Sequence, residues 1–233
     1  MTLIENTLND YNPTEDKRGY TISILVDNPS SWIVPWASIL KDKLSVFHKT
    51  KLCFSESDVY HGEFLFILGY TKILSKEILS RNKLNLVIHE SALPFGRGWS
   101  PVAWQVLEGR NEIPVVLFDA QEELDTGPIY LRDVIILDGT ELLPEIRRKQ
   151  GVKTVEMVLK FLSMWPELKP VKQSGSASFY ARRRSEDDVL DVNSTISENF
   201  DHLRVVDNEK YPAWFVFRGK KYIVKIYDCD SEL

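Results

Sequence analysis

Between Tyr20 and His89 the chain alternates short β-branched or apolar runs with segments of helical spacing, and this alternation leaves few folds open. TISILVDN, residues 21–28, stops at Asp27, Asn28 and Pro29, the way a buried parallel strand gives out into a loop. WASILKDKL follows with helical spacing,. A second strand candidate lies in KLCFSESDVY, and a very apolar run from Glu63 to Leu68 ends at Gly69. LSKEILSRN fits a helix capped by Ser75, after which the strand Asn85 to Ile88 runs directly into His89,. Strand, helix, strand, helix, strand within about 70 residues is the pattern of a doubly wound sheet, whose ligands lie beyond the carboxyl ends of its strands.

PVAWQVLE, residues 101–108, suits a helix with proline in its first turn,. IPVVLFDA and IYLRDVIIL suit two more strands separated by the loop QEELDTGP, and residues 142–165 read as a long helix interrupted or bent near Gly151,. From Pro166 the composition changes: KPVKQSGSAS is a polar connector, FYARRRSEDD is densely charged, and AWFVFRGKKYIVKIY reads as a hairpin turning at Arg218 and Gly219,. The expected fold is therefore α/β, a doubly wound (Rossmann-like) sheet with a small C-terminal β-hairpin appendage. Its expected parts are an N-terminal arm over 1–19, an α/β domain over 20–165 and an appendage over 166–233. The appendage is too small to rely on a core of its own and is expected to pack on the α/β domain.

With a net charge of -5, the chain has no sequence-wide basic field to hold a polyanion, so nucleic acid is not the expected partner,. MTLIENTLNDYNPTEDKRGY lacks the basic start and apolar stretch of a secretory leader, and no apolar run is long enough to span a membrane,. Cys53 and Cys229 stand far apart in no metal-ligand spacing, which fits structural thiols in a reducing cytoplasm and no bound metal.

Two segments carry chemistry. VIHESALPFGRGWSPVAWQVLEG, residues 87–109, places His89 at a strand end, and LDTGPI, residues 124–129, places Asp125 in a loop thirty-six positions later. An imidazole moves protons near neutral pH because its unperturbed pKa is about 6.5, and a neighbouring carboxylate orients it and raises its basicity. Alone, His89 reads more readily as a strand-end histidine satisfying a loop carbonyl.

Together the two segments resemble the folate-dependent formyltransferases, in which a histidine is followed by Ser-x-Leu-Pro, a glycine, a proline and a helix, and is paired with an aspartate loop. The resemblance implies transfer of the formyl group of N10-formyltetrahydrofolate to an amine, with His89 and Asp125 catalytic. The amine must be neutral, the oxyanion must be stabilised, and a proton must pass from the attacking nitrogen to the leaving one. It further implies that a reduced folate meets Leu68, Gly69, Tyr70, Gly98 and Leu124. The chain departs from the pattern at Val87, where the family usually has an asparagine that donates to the formyl oxygen. Asn85 shares the strand face of His89 but lies about 6 to 7 Å too deep, at roughly 3.3 Å per residue. A backbone amide, the Ser91 hydroxyl or His89 itself is left as the donor.

The tail from Phe179 to Ile226 resembles the C-terminal portion of N-formyltransferases acting on nucleotide-linked amino sugars, and the form HESALPFGRGWSP resembles the pseudaminic-acid-pathway and perosamine enzymes. That implies an acceptor such as a UDP-linked 4-amino-4,6-dideoxy sugar, with GDP and dTDP open, in the building of surface glycans. Arg182, Arg183 and Arg184 would face the pyrophosphate, with guanidinium forks suited to phosphate oxygens. Trp99, Tyr180 and Tyr211 would stack on base or sugar, Asp27, Asn28 and Trp32 would hold the hexose or its nucleotide, and Ser91 would also meet the substrate. Against this, RRRSEDD is also a self-neutralising solvated run, and Asp27 and Asn28 are also common turn formers. A formyltetrahydrofolate hydrolase and a non-catalytic folate- or nucleotide-binding homologue are the alternatives, and both monomer and homodimer stay open.

Overall fold

The computed structural model describes residues 19–229, so the expected N-terminal arm lies, except for Gly19, outside the described residues. The sheet is built from β1 (Thr21–Leu25), β2 (Lys49–Cys53), β3 (Gly62–Ile67), β4 (Asn82–His89), β6 (Glu112–Asp119) and β7 (Ile129–Ile136). Its order is β2-β1-β3-β4-β6-β7. The first four strands run parallel, whereas β6 is antiparallel to both β4 and β7. The parallel half is the doubly wound sheet expected from the alternation. The 120–128 loop between β6 and β7 is shorter than the dozen or so residues a parallel crossover needs, so that edge turns back on itself.

Helices cover both faces. On one, α1 (Val34–Ser45) and α4 (Leu143–Met164) pack against the sheet, and Ile22, Ile24, Phe64, Phe66, Leu84 and Leu86 meet Ala37, Leu40, Val155 and Phe161. On the other, Leu25, Leu65 and Ile67 pack with Cys53, Val59 and Ile78 of the short helix α2 (Lys76–Leu79). Alternate strand residues thus feed opposite cores, and each fully buried Leu or Phe contributes about 1.5 to 3 kcal/mol. Ser75 caps α2 by accepting from the Ile78 amide, as its sequence suggests.

The break expected near Gly151 is absent: α4 runs unbroken from Leu143 to Met164. Gly151 serves packing instead, because a Cβ there would lie 2.3 Å from ring atoms of Trp36 on α1. A glycine lets the two helices meet face to face where any side chain would hold them apart.

Beyond α4, the appendage contains α5 (Ile196–Arg204) and a hairpin of β9 (Ala213–Phe217) and β10 (Lys220–Val224), which turns at Arg218 and Gly219 as expected. Positive φ at both turn residues, 50° and 77°, is what a two-residue hairpin loop with the right twist demands. Arg204, only 2% exposed, docks α5 on the α/β domain. Its guanidinium donates to the Glu141 carbonyl, to Glu141 Oε2 and to Asn111 Oδ1. No helix among the described residues is long and apolar enough to cross a membrane.

Candidate active site

His89 is the last residue of β4, 6% exposed, at the carboxyl end of the parallel strands. The next residues fold back over it. Arg97 and Gly98 form β5, which pairs in parallel with β8 (Phe179–Tyr180), and α3 (Pro101–Leu107) follows. Gly98 has φ 103°, and a Cβ there would lie 2.4 Å from the Tyr180 carbonyl oxygen, so this strand pair exists only with glycine at that position,.

This fold-back sets the site. His89 Nε2 lies 2.8 Å from Gly96 O. A carbonyl only accepts, so Nε2 is the donor in this contact,. Asp125 has φ 54°, a left-handed conformation that aspartate tolerates better than most residues,. Its Oδ2 accepts the Gly98 N–H at 2.9 Å and stands 4.0 Å from His89 Nε2, with only 9% of the side chain exposed. The structure therefore brings together the two residues that the sequence pairs across thirty-six positions.

Val87 faces an apolar wall of Leu93, Val116, Phe118 and Ile129. Asn85, on the same face, turns its amide onto the Leu79 carbonyl at 2.9 Å and does not reach the histidine. Ser91 is fully buried, and its hydroxyl has no partner among the described residues.

The other candidate residues divide into groups. Leu68 is buried, Gly69 holds φ 58°, and Tyr70 gives its hydroxyl to Glu56 Oε1 at 2.6 Å. Burial, followed by that bond, pushes the Tyr70 phenol well above its ordinary range. Leu124 precedes Asp125 and is half-buried. Asp27 accepts from the Thr71 amide at 3.0 Å, and Arg182 donates to the Thr71 carbonyl at 3.1 Å while lying 5.3 Å from the Trp99 ring centre. Arg182 and Trp99 of the later segments thus meet the first strand end through Thr71, a link that contacts 44 and 111 positions apart gave no sign of in sequence.

Arg183 is committed to Asp188 and to the Val205 carbonyl, and Arg184 is exposed at the following turn. Asn28 caps its own turn by accepting from the Ser30 amide. Trp32 lies under the Arg147 guanidinium, 6.0 Å from ring centre to Cζ, and Arg147 pairs with Asp207 at 2.9 Å. Tyr180 stacks on Trp104 and donates to Glu108 Oε2 at 3.0 Å, while Tyr211 is 65% exposed. A separate cavity of about 510 Å³ between α5 and the hairpin is lined by Leu190, Ile196, Leu203, Phe215, Phe217 and Ile226 and holds none of these residues.

Glu90 escaped sequence reasoning. Its Oε1 accepts from Gln150 Nε2 at 3.1 Å and its carbonyl from Gln105 Nε2 at 2.6 Å, which places the residue between α3 and α4, next to His89. Burial raises its pKa against the opposing effect of His89. No sequence signal marks it, since its partners come from helices 15 and 60 positions away.

The site is a buried histidine at a parallel strand end of a Rossmann-like sheet, with an aspartate loop folded over it. Residues 49–158, just under half of the chain, match the family model described as formyl transferase. It is 33% identical over 165 residues to a methionyl-tRNA formyltransferase of Thermus thermophilus, an alignment covering 68% of this chain and 52% of the relative. The chain spans about half the length of the first curated relatives it matches. Among solved structures, HypX from Aquifex aeolicus in complex with tetrahydrofolic acid superposes with a TM-score of 0.73 at 14% identity, over 90% of this chain and 38% of that one. A 4-N formyltransferase from Francisella tularensis superposes with a TM-score of 0.65 at 16% identity, over 88% and 96%. At these identities the superpositions establish the fold.

Proposed function

We propose that the chain is a sugar N-formyltransferase, moving the formyl group of N10-formyltetrahydrofolate to the free amine of a nucleotide-linked amino sugar. The observation that carries the reaction is the buried His89 with Asp125 4.0 Å away at the strand ends. The orphaned Ser91 hydroxyl fits a formyl donor, because it offers a hydrogen bond where the carbonyl oxygen gains charge,. Bound there, the folate supplies an activated formyl carbon. Leu68, Gly69, Tyr70, Gly98 and Leu124 would hold it.

His89 takes up the proton released by the attacking amine and returns it to the leaving nitrogen. The Asp125 carboxylate stabilises the imidazolium between those steps. Ser91 takes the part that an asparagine at position 87 would have played. The acceptor class is supported by Arg182 over Trp99, a cation and an aromatic face beside Asp27 and Thr71. A guanidinium fits one pyrophosphate oxygen pair and an indole fits a base or sugar face. The net charge of -5 supports a small acceptor over a nucleic acid,. UDP-linked 4-amino-4,6-dideoxy sugars are the first acceptors to test.

The deciding assay incubates the purified protein with N10-formyltetrahydrofolate and a panel of UDP-, GDP- and dTDP-linked amino sugars, following formylated sugar and free formate. Formylated product from one member, lost in His89→Asn with nucleotide binding retained, is the expected result. Formate release without a sugar product overturns the acceptor assignment, and wild-type turnover by the histidine variant overturns the site.

A further inference from the structure

We propose that Gln173 and Ser178, in the polar connector that follows α4, are positioning residues for the His89–Asp125 pair. The inference rests on the formyl-transfer reading of that pair. Gln173 Nε2 donates to the Asp125 carbonyl at 2.8 Å and to the Gly127 carbonyl at 2.9 Å, spanning the aspartate loop from behind. Its Oε1 accepts from Arg97 Nη2 at 3.0 Å, which ties the aspartate loop to the histidine loop. Ser178 Oγ accepts the Gly96 N–H at 2.8 Å, and the carbonyl of that same Gly96 receives the His89 hydrogen. Val171 exchanges two backbone bonds of 2.8 Å with Ile129, fixing where the connector begins.

Between these anchors the connector has no apolar core. Lys172, Ser174, Gly175 and Ser176 are exposed, while Gln173 and Ser178 are partly buried. Its inward hydrogen bonds converge on the loops carrying the two chemical groups. Asp125 holds a left-handed backbone that aspartate does not favour by itself, so its carbonyl needs outside partners to stay there,. Both anchors act through backbone groups of the loops, so neither touches the reacting atoms. A stretch that reads in sequence as a linker therefore sets the spacing of the site.

The test compares Gln173→Met, which keeps the bulk and loses the amide donors, Ser178→Ala, and Lys172→Ala as an exposed control in the same stretch. The first reading is the His89 imidazole titration by NMR in protein without substrate. The second is kcat and KM for formyl transfer, normalised to folded protein. A shift of the pair by about 1 Å lowers kcat on the order of 100-fold. Gln173→Met and Ser178→Ala are expected to approach that loss with KM nearly constant and with the His89 midpoint displaced. Lys172→Ala is expected to match the wild type in both readings.

Wild-type kcat or an unmoved His89 midpoint in both variants overturns the proposal. If the wild type formylates none of the amines, the function assignment fails, and the substrate-free titration alone still decides whether Gln173 and Ser178 position the pair.

Discussion

His89 Nε2 and Asp125 Oδ2 stand 4.0 Å apart, and each is bonded to a glycine of one loop, not to the other: Gly96 O takes the imidazole hydrogen and the Gly98 N–H reaches the carboxylate. The two partners thus sit two residues apart on a single loop. Asp125→Asn separates charge from geometry, because an amide oxygen can still accept from Gly98. Turnover is expected to fall by about 10² or more while the melting temperature barely moves. Steady-state kinetics beside a melting curve check both halves.

Ser91 offers the opposite signature. Its hydroxyl is buried and without a partner among the described residues, so it weakens the fold,. Ser91→Ala is expected to melt at or above the wild-type temperature yet lose about 10² to 10³ in kcat, the usual effect of removing one oxyanion donor. An unchanged kcat would return the oxyanion role to His89 or a backbone amide.

Gly151 tests the packing of α4 on α1. Gly→Ala inside a helix ordinarily gains about 0.8 to 1 kcal/mol. Here a Cβ meets the Trp36 ring at 2.3 Å, so the helices must separate. Gly151→Ala is expected to destabilise by about 1 to 3 kcal/mol, as overpacked cores do, measured by urea unfolding.

That glycine also marks where the sequence stopped being legible. Strands, caps and the Arg218–Gly219 hairpin turn follow from local pattern, because period-two burial and positive φ are written in neighbouring residues,. Gly151 looks the same whether it breaks a helix or admits a tryptophan, and only the distant Trp36 decides. The same holds for the site. His89 and Asp125 were marked by flanking motifs, whereas Gln173 and Thr71 act through partners 48 and 44 positions away, with no pattern around them to announce it. Arginine identity was equally blind: three adjacent cations look alike, yet Arg182 meets Trp99 while Arg183 is neutralised by Asp188.

Glu141 gives the appendage a pH dependence. Burial pushes its carboxyl up, but hydrogen bonds from Lys149 and the Asp138 amide outweigh that and leave it below the usual carboxylate range. A depressed folded-state value adds stability above the unfolded pKa of about 4.3, and that stability is lost as pH falls through the folded value. Below about pH 4, α5 is therefore expected to loosen before the sheet, as hydrogen exchange would reveal. Arg204→Met, which leaves Lys149 as this buried carboxylate's one cationic partner beside the Asp138 and Gly139 amides, is expected to cost about 3 kcal/mol at neutral pH,.

Glu90 has the opposite sign. Burial raises its folded-state pKa above the ordinary glutamate value, although His89 and the Gln150 hydrogen bond both favour the charged form. Where the folded state holds a proton that the unfolded chain releases, stability falls as pH rises from the unfolded value through the folded one. At pH 8, well above the unfolded-state value, this upward shift is therefore a net burden on the fold whichever form the folded carboxyl takes, and near pH 4 the burden largely disappears,. Glu90→Gln keeps an oxygen for Gln150 and removes the charge. It is expected to raise the melting temperature at pH 8 by about 2 to 4 °C for each kcal/mol recovered, and to leave it nearly unchanged at pH 4. Parallel melting curves across that range decide the matter. A variant less stable at pH 8 would show that the charge next to His89 holds this end of the sheet together.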